Sequence, residues 1–209
     1  VGVDAWLLLP YEEHLYVGQA SVGAVRELAR RAADHFEEEG LAVRAFVFDC
    51  EPSPLLGREL FEAVRAKSPR QLARTLRDQM DPEAFGRDVA AINGLIAELR
   101  GRGYVVDGAG NRAFLDAQVR GNVALEDALN APVSGVEWDA LSFITYRYLA
   151  SQLSYVAMLN RYAGLARRLY GERAAMDVGL IGDYHEIPEN AERAALFGGG
   201  EMFYGYLRG

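Results

Sequence analysis

The sequence predicts an α/β fold with a parallel sheet, and within that class a (β/α)8 barrel of which about six strands are visible. Three observations carry this. Short β-branched or aromatic runs alternate with long amphipathic stretches along the 209 residues, the order that builds parallel strands with helices outside them. One of those runs, Ala45 to Glu51, ends in two acids that share a strand face. The chain also opens on Val1, inside an apolar run and without an initiator methionine, which gives the expectation of a single barrel-like domain, residues 1–209, that lacks its first strands. The alternation by itself is equally compatible with an open doubly wound sheet. Two further strands upstream would make the visible ones strands three to eight of a barrel.

Each element has its own signal. Val1 to Leu9 reads as a strand. Ser21 is the expected N-cap of a helix to Glu39, with Val25, Leu28, Ala32 and Phe36 on one face and Gly40 as its stop. Val43 to Glu51 is the second strand. Pro54 stands where a first-turn proline belongs, and helical pieces follow to Met80. Asp81-Pro82-Glu83 starts a helix whose Phe85, Val89, Ile92, Ile96 and Leu99 recur at helical spacing, until Gly101 and Gly103 end it. Tyr104 to Val106 is a short strand. Gly108 to Gly135 reads as a long loop with short helices around Ala113 to Val119 and Ala124 to Leu129. Leu141 to Tyr146 is a strand, Ser151 to Tyr170 a helix, and Met176 to Ile181 a strand. Pro188 to Leu196 is a short helix, and Met202 to Leu207 is the last strand.

Half the residues are hydrophobic and a quarter charged, the balance of a soluble globular domain. The net charge of -8 opposes nucleic acid and anionic membrane surfaces as partners. The longest apolar stretch, around Trp6 to Pro10, falls far short of the ~18 residues of a membrane span. A lone cysteine, Cys50, excludes an internal disulfide and a CxxC metal site. Cysteine poverty and the expectation of missing upstream residues leave both a secreted and a cytoplasmic location open.

Chemistry concentrates in Ala45-Phe46-Val47-Phe48-Asp49-Cys50-Glu51-Pro52. Ala45, Val47, Asp49 and Glu51 share one face; Phe46, Phe48 and Cys50 share the other. The first set suits a crowded barrel interior and the second suits packing on outer helices. Both acids then stand near the C-terminal end of the strand, where α/β folds place their active sites. Two such carboxylates repel when both are charged, so one is expected to keep its proton and serve as a general acid. Glu51 is nearer the mouth; Asp49 is deeper and holds Glu51 or stabilises positive charge in the substrate.

With this strand placed, the chain resembles the chitinase-like superfamily, the family 18 glycoside hydrolases and their distant TIM-barrel relatives. That family carries Asp-x-Asp-x-Glu on its fourth barrel strand and Met-x-Tyr on its sixth. Here Asp49-Cys50-Glu51 supplies the last Asp and the Glu, while Val47 replaces the earlier Asp. Two strands later stands Ile144-Thr145-Tyr146, with Arg147 where an Asp is common. The resemblance implies that Glu51 protonates a glycosidic oxygen, that Asp49 supports an N-acetyl group acting as internal nucleophile, and that Tyr146 hydrogen-bonds that group. The implied activity is cleavage of a poly- or oligosaccharide without a cofactor. A non-catalytic carbohydrate-binding barrel, and an isomerase or lyase using the same carboxylates, are the alternatives.

Further substrate contacts are expected from Trp6, whose large apolar ring can stack on a sugar, and from Arg147. Post-strand acids Asp107 and Asp183 are candidates too, as is Tyr204 on the last strand, with Tyr206 on the same face. His14 and His185 follow strands near Glu12, Glu13 and Glu186, yet none has tight metal-ligand spacing, so no metal is expected. His35 reads as a solvated helix residue. No GxSxG elbow exists and Cys50 faces the helices, which opposes serine or cysteine nucleophiles. Gly198 to Gly200 precedes a strand, not a helix, and so makes a poor phosphate loop.

Overall fold

A computed structural model describes residues 3–7, 17–18, 21–145, 152–178 and 201–203. The elements run β1 (Val3–Leu7), α1 (Val22–Glu38), β2 (Val43–Cys50), α2 (Pro54–Arg65), α3 (Pro69–Gln79), α4 (Pro82–Gly101), β3 (Val105–Asn111), α5 (Ala113–Gln118), α6 (Ala124–Leu129), β4 (Ala140–Ile144), α7 (Gln152–Tyr170), a 3-10 turn (Gly171–Arg173), β5 (Ala174–Val178) and β6 (Glu201–Phe203). Two compact units divide the chain: Val1–Gly108 with Asn122–Asp139, and Ala109–Gly121 with Ala140–Gly209.

In the first unit β1 pairs in parallel with β2, Trp6 beside Val47. Within each unit the strands succeed one another in chain order. A doubly wound sheet instead reverses its order at a switch point. The fold is thus α/β and its succession is compatible with part of a barrel. Residues Ala45 to Phe48 of β2 are all buried, as expected of a parallel strand covered on both faces. Phe46 packs on Phe36 of α1 at 5.7 Å between ring centres and edge-on to Tyr104 at 4.9 Å. Phe48 lies 6.2 Å from Trp138. The aromatic face of β2 therefore meets the helical layer, as its alternation predicts.

The helices end where their sequences say. Gly40, at φ +63, closes α1: its N–H and that of Leu41 bond the carbonyls of Glu37 and Phe36, the Schellman arrangement that favours glycine. Asp81 caps α4 by accepting from the Ala84 N–H at 2.9 Å. The buried line of α1 is Val22, Val25, Ala29 and Ala33, rotated one position from the expected face, with Leu28 and Phe36 half-buried at its border. Ser21 precedes α1 but does not cap it; its hydroxyl donates to the Gly18 carbonyl and accepts the Gly18 N–H.

β3 departs most from expectation. It runs on to Asn111, through Gly108, Ala109 and Gly110, where the glycines read as loop. Val106 to Gly110 of this strand are buried. In the second unit β4 pairs in parallel with β5, and β5 with β6. Phe143 of β4 packs on Tyr170 of α7 at 5.6 Å. β5 begins at Ala174, two residues earlier than expected. The expected helix over Pro188 to Leu196 and residues 204–209 lie outside the described residues.

Candidate active site

The end of β2 combines cover and access. Val47 is fully buried, whereas Asp49, Glu51, Pro52 and Ser53 are half-buried. Glu51 stands one residue past the last ladder position, Cys50. Ser53 then caps α2 by accepting the Leu56 N–H, with Pro54 in the first turn. This short strand-to-helix connection fixes Glu51 at the strand's C-terminal edge. The carbonyl of Asp49 accepts the Val17 N–H at 3.3 Å, so the segment at Val17 and Gly18 lies against the same edge. Gly18 is required there: a β-carbon on it would stand 2.2 Å from the Asn130 carbonyl oxygen.

Burial raises the Glu51 carboxyl above its ordinary value. The expected cause was repulsion from Asp49; desolvation is the one found. Among the described residues Glu51 makes no hydrogen bond or ion pair. It is therefore a carboxyl inclined to hold a proton and not committed to a neighbour. Cys50 is buried, and burial pushes its thiol well above the usual range, so it holds its proton and is no nucleophile.

The other predicted residues fall as follows. Trp6 is half-buried in β1, with its indole nitrogen enclosed. Asp107 is not a post-strand residue: it is buried inside β3, because the strand continues past it to Asn111. Tyr146, Arg147, Asp183 and Tyr204 lie outside the described residues, as do Glu12, Glu13, His14, His185, Glu186, Tyr206 and residues 198–200. His35 is exposed on α1. Among the described residues no group of three His, Cys, Asp or Glu side chains gathers around a metal-sized space, and no helix is long and apolar enough to cross a membrane.

One buried acid escaped the sequence reading. Asp177 of β5 is 0 % exposed. Its Oδ2 accepts from the Ser142 hydroxyl at 2.7 Å, and its Oδ1 is buried without a hydrogen-bond partner among the described residues. Its backbone carbonyl accepts from the Thr145 N–H and hydroxyl at 2.9 and 2.7 Å. Burial raises its carboxyl to about 6, against the opposing pull of Ser142. The signal was an acid inside the apolar run Ala175-Met176-Asp177-Val178, the same signal that singled out Asp49. Two other buried acids, Glu126 and Asp127, hold backbone donors. Glu126 accepts from the Val133 N–H and from both the N–H and hydroxyl of Ser134, at 2.6 to 2.9 Å. Asp127 accepts the Asp81 N–H at 2.9 Å.

No family model and no curated protein matches the chain. Among solved structures it is similar to the PgaB (BpsB) glycoside hydrolase domain from Bordetella bronchiseptica, at 12% identity and a TM-score of 0.47. That match covers 85% of this chain and 57% of the other, so the chain spans little more than half of that structure. Nothing in the match is specific to chitinase-like proteins; a glycoside hydrolase domain is a weak structural neighbour of this chain.

Proposed function

We propose that the chain is a glycoside hydrolase-like protein in which Glu51 is the general acid. The observation that carries this is a half-buried carboxyl at the C-terminal edge of a buried parallel strand, raised by desolvation and bound to no described neighbour. Glu51 passes its proton to the glycosidic oxygen as the bond from that oxygen to the anomeric carbon breaks. Water then supplies hydroxide to the anomeric carbon and returns a proton to Glu51. By the chitinase-like resemblance, Asp49 and Tyr146 orient an N-acetyl group that holds the anomeric carbon in between. Trp6, Asp107, Arg147, Asp183 and Tyr204 remain candidate sugar contacts on the sequence reading, with Asp107 weakened by its place inside β3.

The test is release of reducing ends from N-acetylated and unsubstituted oligosaccharides. Glu51→Gln is expected to lower turnover by about 10²–10⁴-fold while glycan binding persists. Turnover equal to wild type in Glu51→Gln removes Glu51 from the chemistry. A second reading, a carbohydrate-binding protein without turnover, is favoured by Val47: the family's earlier Asp is replaced by a fully buried apolar side chain, which cannot support Asp49 by hydrogen bonding. Binding without turnover in the wild type selects that reading.

A further inference from the structure

The geometry points to an acidic polysaccharide, one bearing a carboxylate on its sugar units, as the polymer held by α2 and α3. This deepens the reading above and rests on it for placing glycan at Glu51. α4 returns the chain from the end of β2 towards the start of β3, as the crossover of a βαβ unit does. Residues 52–81, which carry α2 and α3, follow Glu51 directly in the chain and precede α4. α3 packs against α2 and α6. Leu72, Thr75 and Leu76 are its half-buried residues, and Arg70, Arg74 and Arg77 are exposed on the opposite side.

Charge and shape both select the ligand. Between the exposed acids Glu62 and Asp78 the chain holds Arg65, Lys67, Arg70, Arg74 and Arg77, in a protein of net charge -8. Arg65 lies 4.0 Å from Glu62; Lys67, Arg70, Arg74 and Arg77 form no ion pair among the described residues. Elsewhere, Arg30, Arg44, Arg100 and Arg102 are each held by a carboxylate at 2.7 to 2.9 Å. The three α3 arginines recur at about one helical turn, ~5 Å, close to the length of one pyranose in an extended chain. Lys67 is a second, independent sign. It sits at φ +50 in the closing position of α2, where its N–H and that of Ser68 bond the carbonyls of Val64 and Ala63. That is the position Gly40 and Gly103 fill for α1 and α4; here it holds an exposed cation. On α2, Phe61 and Val64 are 63% and 60% exposed, and an exposed ring can lie on the C–H face of a sugar. Cations for the carboxylates and an apolar surface for the rings describe a uronate polymer better than a neutral glucan.

Binding of the wild-type chain to polygalacturonate and alginate, measured beside a neutral glucan, tests this. The expected result is preference for the uronate polymers, weakened by added salt, and about tenfold looser binding in Arg70→Gln/Arg74→Gln/Arg77→Gln. These arginines are exposed, so an unchanged melting temperature is expected and shows that the variant is folded; Lys67→Gln alone gives a smaller loss in the same direction. Equal binding of the neutral glucan, or a triple variant that binds as wild type, overturns the proposal. So does tighter arginine-dependent binding of a single-stranded oligonucleotide or of phosphatidylserine vesicles. Uronate binding in both wild type and Glu51→Gln, without turnover in either, keeps this inference and removes the catalytic reading. Turnover of a neutral glycan with no uronate binding does the reverse.

Discussion

Asp177 and Glu51 are carboxyls that the fold makes reluctant to ionise, and the two differ in what confines them. Asp177 is enclosed, with one oxygen on Ser142 and the other without a hydrogen-bond partner among the described residues. Its ordinary value of 3.8 becomes about 6 in the folded chain. A raised carboxyl favours the folded state while it is neutral in both states. That contribution is complete below 3.8 and is lost as pH climbs through about 6, a change of the order of 3 kcal/mol. Urea denaturation at pH 4.5, 5.5 and 7.5 is expected to show this slope, and Asp177→Asn to flatten it. A wild-type slope kept by the variant assigns the pH dependence to another group. Glu51 is raised in the same direction by burial, and its acid form is the one the proposed reaction needs. The rate is therefore expected to fall as pH rises through its folded value, and that limb of the kcat/KM profile to vanish in any residual activity of Glu51→Gln.

Among the elements, the connections carry the most consequence. Gly18 leaves no room for a side chain beneath the Asn130 carbonyl, and its neighbour Val17 bonds the carbonyl of Asp49. Gly18→Ala is expected to displace that segment, at about 1–3 kcal/mol, and to lower glycan turnover through the edge of β2; thermal unfolding and kcat/KM measured together show it. Glu126 gathers three donors from Val133 and Ser134. Glu126→Ala leaves the buried Val133 N–H and the part-buried donors of Ser134 without this acceptor and is expected to lower stability by about 1–3 kcal/mol, read from the urea midpoint. At this scale the sequence was legible where one period dominated. Alternation in Phe46-Val47-Phe48 foretold which side meets α1, and Asp81-Pro82 foretold the start of α4. It was illegible where two signals competed. Gly108 and Gly110 announce a loop, yet they extend β3 as buried strand residues, since glycine permits an extended backbone as readily as a turn. That error alone turned Asp107 from a mouth residue into a buried one. Asp177 carries in sequence the mark that Asp49 does, an acid inside an apolar run, but it has no second acid on its face; its full burial and its bond to Ser142 become visible only in the structure.

For the whole molecule, the first unit offers its own reporters. Cys50 is its buried thiol, and both tryptophans of the chain, Trp6 and Trp138, lie within it. A buried, protonated thiol reacts only on opening. Labelling of Cys50 by a disulfide reagent is expected to be negligible in the native protein and to rise with the tryptophan fluorescence transition in urea, as one cooperative step. Labelling well below that midpoint shows instead that the end of β2 opens locally.

Lys67 sets two demands against each other. In the left-handed turn after α2, glycine avoids the strain that a side chain creates, by about 1 kcal/mol. Lys67→Gly should therefore melt later than the natural protein while holding uronate chains less firmly. A single substitution that makes the chain hardier and its grip poorer would mark the turn as shaped by selection for what it touches and not for how well it folds.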